Sequence, residues 1–120
     1  MDMLQMAALA KSAAVKMGVQ SSQAKNTALA AIVSALSAQA EEIIAANRRD
    51  LAAAEQAGIA PAVLKRLNFG EAKLTEVIRG IESLISLPDP VGETLRATEL
   101  DAGLELYKVS CPLGVIGMIF

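Results

Sequence analysis

LPDPVGE, residues 87–93, divides the chain. Two prolines and a glycine within seven residues remove backbone donors and forbid a continuing helix. The residues before Leu87 and those after Glu93 therefore belong to different structure. Downstream, ETLRATEL (93–100) and LELYKVS (104–110) flank Asp101-Ala102-Gly103. That spacing and composition predict a three-residue hairpin loop with Gly103 in the left-handed conformation. Pro112 then releases the chain into LGVIGMIF (113–120), a run apolar on both faces. Such runs form strands of parallel sheets covered by helices above and below. A buried parallel strand needs neighbours on both sides, and no other segment of these residues resembles one.

Upstream of Leu87 the period is helical and alanine abounds, the residue of highest helix propensity. Asp2 is a suitable N-cap for a first helix reaching Met17, where Gly18 is expected to end it in the left-handed region. Ser21 or Ser22 restarts the chain. Leu29, Ile32, Val33 and Leu36, then Ile43, Ile44 and Leu51, recur at helical spacing. A single helix over 22–57 would be unusually long, so a break is expected near Ser37 to Gln39, with Gly58 closing the region. Pro61 fits the first turn of a short helix ending at Leu67, where its missing amide hydrogen costs nothing. The strongest stripe comes last: Leu74, Val77, Ile78, Ile81, Leu84 and Ile85 share one face, with Glu76, Arg79, Glu82 and Ser83 opposite.

Composition excludes several chemistries. The 120 residues contain no histidine, which rules out Ser-His-Asp or Cys-His catalysis and histidine-ligated metals within them. Aromatic residues make up 2%, too few for the stacking platforms of single-strand binders. A net charge of −2 gives no electrostatic drive toward nucleic acid or an anionic membrane. The one cysteine cannot form an internal disulfide, which suits a reducing compartment. No basic region leads into a long apolar stretch at the N-terminus, and the longest uncharged stretch before the C-terminal run, NTALAAIVSALSAQA (26–40), is short of a membrane span. The expectation is a soluble, cytoplasmic protein with neither nucleic acid nor membrane as partner.

Three segments, read in order, resemble one family. IIAANRRDLAAAEQAG (43–58), LPDPVGETL (87–95) and VSCPLGVIGMIF (109–120), with VLKRL (63–67) between them, are similar to the N-terminal region of the gamma-glutamyl phosphate reductases, in the aldehyde dehydrogenase superfamily. LPDPVGE between a helix and a hairpin, followed by PLGVIG, distinguishes this branch within the superfamily. The resemblance implies an α/β fold: a helical layer over 1–87, a β-hairpin over 91–111, and over 112–120 the first strand of an NADP-binding domain that continues beyond Phe120. It implies NADPH-dependent reduction of gamma-glutamyl phosphate to glutamate 5-semialdehyde in proline biosynthesis, through a cysteine thiolate that lies downstream of this chain. It also implies a homo-oligomer, inactivity of these residues alone, and a place for Ile119 and Phe120 beside the cofactor's nicotinamide ribose.

Within these residues the conspicuous side chains read as structural. Cys111 has no nearer cation than Lys108 and reads as an ordinary strand residue. Gly114 and Gly117 sit inside the final run rather than at a strand-to-helix turn, so they make no dinucleotide fingerprint; glycine there permits close approach. Arg48 and Arg49 read as a solvated face, and Asn47 and Asp50 as ties from helix to loop. Ser110, Glu105 and Lys108 read as surface or subunit contacts, and the methionines at 1, 3, 6, 17 and 118 as packing residues. A rival expectation is a self-contained helical interaction module whose terminal strand completes a partner's sheet.

Overall fold

The computed structural model describes residues 2–119. Among them are α1 (Met3–Gly18), α2 (Ser22–Ala38), α3 (Ala40–Gln56), α4 (Pro61–Leu67), α5 (Glu71–Ile85), β1 (Thr94–Asp101) and β2 (Leu104–Val109). They fall into two compact units: Gln23–Leu87, and the residues up to Ser22 together with those from Pro88 onward.

The helical unit begins and ends where local chemistry dictates. α2 gives way to α3 at Gln39, inside the expected break, with a 64° bend between the two axes. No single helix among the described residues is long and apolar enough to cross a membrane. α3 closes before Gly58, whose φ of +71° continues no helix. α4 starts on Pro61 as expected. α3 packs against both α4 and α5. The α5 stripe is narrower than the sequence implies: Leu74, Ile78, Ile81 and Ile85 turn inward, whereas Val77 and Leu84 are 37% and 53% exposed. Asn26 of α2 donates from Nδ2 to the Ile85 carbonyl oxygen at 3.2 Å, satisfying an acceptor that a helix C-terminus leaves open. On the outer face, Lys73 and Glu76 pair at 2.8 Å while well over half exposed, a geometry that contributes little stability.

In the other unit α1 carries a full capping box, with the Asp2 carboxylate accepting from the backbone and the Gln5 side chain returning to the Asp2 amide. Its C-terminus departs from expectation. Gly18 is the last helical residue and has no left-handed backbone. Its role is closeness instead: a Cβ there would stand 3.4 Å from Pro112 Cγ.

β1 and β2 form the two-stranded antiparallel sheet. Asp101 pairs with Leu104, which leaves Ala102-Gly103 as a two-residue turn in place of the expected three-residue loop. An irregularity between Glu99 and Asp101 absorbs the difference. Gly103 has φ +77°, as the turn requires. Arg96 lies opposite Lys108 and Glu99 opposite Glu105; like charges across a ladder oppose pairing, so apolar contacts and the backbone hold the hairpin.

Residues 112–119 are not a strand. They have the composition of one, but with no strand beside them there is no ladder to join. Apolar burial is sparse throughout. Leu74, at 4% exposure, is the buried hydrophobic residue of the described chain. Met3, Met6, Met17 and Met118 are 50–78% exposed, so they do not fill a core as their composition implied.

Candidate functional site

The densest long-range hydrogen bonding lies where LPDPVGE meets the end of the hairpin. Asp89 forms an Asx turn, its Oδ1 accepting from the Val91 amide at 3.1 Å, and its Oδ2 accepts from Ser22 Oγ at 3.0 Å. Ser110 closes the other side. Its amide donates to the Glu93 carbonyl oxygen at 2.9 Å and its carbonyl oxygen accepts from the Gly92 amide at 3.0 Å. Its hydroxyl accepts from the Glu93 amide at 2.9 Å and donates to the Pro90 carbonyl oxygen. One half-buried serine thus ties Pro90, Gly92 and Glu93 to the point where the chain leaves β2. Both the backbone and the hydroxyl of Ser110 are thus engaged within the chain, while the residue stays partly exposed.

From this knot the chain runs through Cys111 and Pro112. Cys111 is exposed and unpaired, so it is not the packed strand residue its type implied: it lies past the end of β2, where no second layer covers it. Pro112 rests against Gly18. A groove of about 690 Å³ opens between α1 and residues 112–115, floored by Ala14, Val15, Leu113 and Val115, with Lys11 at its side. Gly114 has φ +98°, and neither it nor Gly117 has any atom within 4 Å of where a Cβ would stand. Ile119 is fully exposed. Phe120, the second expected cofactor residue, lies outside the described residues.

A separate polar hollow of about 410 Å³ surrounds Asn47, Arg48, Phe69 and Glu71 in the helical unit. Asn47 supplies its structure, donating from Nδ2 to the Leu67 carbonyl oxygen at 2.9 Å and accepting from the Phe69 amide on Oδ1 at 2.7 Å. The tie from helix to loop expected of Asn47 is therefore present, and it spans the end of α4. Asp50 makes no such bond among the described residues. Arg48 and Arg49 are exposed, as a solvated face requires. Asn47 belongs to one unit, and Ser110 and Ile119 belong to the other.

Two carboxylate contacts shift titration on exposed surfaces. The hydrogen bond from Lys73, and then its charge, hold the Glu76 carboxyl below the usual range, and Lys73 rises correspondingly. Tyr107 donates to Glu105, which raises the phenol. Among the described residues no group of three or more cysteine, aspartate or glutamate side chains is placed to hold a metal ion.

Sequence reasoning missed Asp89, and it read Ser110 as a surface or subunit contact without its partners in the loop. Asp89 carried a signal, since aspartate two residues before a turn amide is a recognised turn former. Ser110 carried none, because its partners lie 17 and 20 residues away.

No family model matches the chain. It is 54% identical over 120 residues to gamma-glutamyl phosphate reductase of Pelotomaculum thermopropionicum, covering all of this chain and 28% of that protein. It is 46% identical over 111 residues to gamma-glutamyl phosphate reductase 1 of a Synechocystis strain, covering 92% of this chain and 26% of that one. Among solved structures, gamma-glutamyl phosphate reductase of Saccharomyces cerevisiae matches with a TM-score of 0.84 and 39% identity, over 90% of this chain and 28% of its own. The enzyme of the same name from Thermotoga maritima matches with a TM-score of 0.86 and 29% identity, over 91% of this chain and 26% of its own. The chain thus spans little more than a quarter of the length of the relatives it matches.

Proposed function

Because the chain is homologous over its whole length to the N-terminal part of gamma-glutamyl phosphate reductases, we propose that it is the N-terminal segment of an enzyme that reduces gamma-glutamyl phosphate with NADPH. The products are glutamate 5-semialdehyde, phosphate and NADP⁺, a step of proline synthesis. The observation that carries the reading is identity of 54% sustained across all 120 residues, joined to backbone agreement at a TM-score of 0.86. The sparse core supports it. Exposed Leu113, Val115, Ile116 and Met118 are what a segment made to pack against further chain presents.

In this reading the bond-making residues lie elsewhere, and these residues position. NADPH supplies the hydride when bound. Residues 112–119 fit its flat nicotinamide end rather than its phosphates: the open backbone at Gly114 and Gly117 leaves room for close approach, Ile119 offers an apolar surface, and no cation stands in that stretch. We assign Ile119, with Phe120 beside it, to that edge. A cytoplasmic setting goes with the same reading and with the unpaired Cys111. So does association of copies, since both outer edges of the hairpin present unpaired backbone groups.

The gene, taken at the length of its relatives, is expected to restore growth without proline to a bacterium lacking this reductase. Failure of a well-expressed protein to do so counts against the reading. Cys111→Ser in the same protein should leave turnover within about twofold, because Cys111 is an exposed thiol and, among the described residues, no base forms a hydrogen bond with it. A hundredfold loss would make Cys111 the nucleophile.

A further inference from the structure

We draw no further inference here: the strongest candidate, the basic hollow on one face of the hairpin where Arg96 lies opposite Lys108 beside Thr98 and Leu106, is formed by solvent-exposed cations, and nothing in the structure shows what covers it.

Discussion

Replacing Leu74 with alanine is expected to lower the stability of the α2–α5 unit by about 3 kcal/mol, within the usual range for truncating a buried leucine. Leu74 is 4% exposed, and no other hydrophobic residue among those described is buried as deeply. Ile78, Ile81 and Ile85 share its face but remain partly exposed. Small proteins have little stability to lose, so the variant should unfold without a cooperative transition when its helical circular dichroism is followed in urea. Leu84→Ala provides the comparison. At 53% exposure it should cost less than about 1 kcal/mol in the same 120-residue chain. Equal effects at the two positions would mean that Leu74 is not the centre of the unit.

Asn47→Ala is expected to be the next most damaging change, at about 2 kcal/mol. The amide of Asn47 serves both the Leu67 carbonyl oxygen and the Phe69 amide, and its loss leaves both without their partner. The half-buried position of Asn47 limits how easily water replaces it. Asn47→Asp separates the two bonds. An aspartate still accepts from Phe69 but cannot donate to Leu67, so it should cost less than alanine, whereas Arg48→Ala, at the exposed neighbouring position, should cost almost nothing. Urea midpoints for the three variants check the order. An alanine variant as stable as the parent would show that α4 needs no tie to α3.

Legibility from sequence followed the range of the interaction. Helix boundaries set by proline, glycine and capping residues were readable because cause and effect lie within a few residues: Asp2 with Gln5, the break at Gln39, and Pro61 opening α4. Asn47 was readable in type, as a polar side chain tying a helix to a loop, although its partner segment was not. Gly18 misled because glycine serves two ends, positive φ and close approach, and only the second applies here. The hairpin loop was misjudged by a single residue because a ladder irregularity leaves no mark in composition. Residues 112–119 have every local feature of a strand and form none among the described residues, where the sequence already offered no neighbouring strand. Ser110 was illegible for the same reason that makes it interesting, since its meaning depends on a loop 17 to 20 residues earlier.

The family resemblance was carried by the segments that structure later made important. LPDPVGE holds Asp89, Pro90, Gly92 and Glu93, which form the knot with Ser110. IIAANRRDLAAAEQAG holds Asn47. These motifs are largely devices for directing the chain.

A single assay decides whether positioning and reaction are divided in this way. The protein at the length of its relatives is given glutamate 5-semialdehyde and NADP⁺, and formation of NADPH is followed with and without phosphate. NADPH is predicted to form only when phosphate is present, and residues 1–120 alone are predicted to form none under the same conditions. NADPH production by residues 1–120 alone, or production by the longer protein that ignores phosphate, would contradict that division.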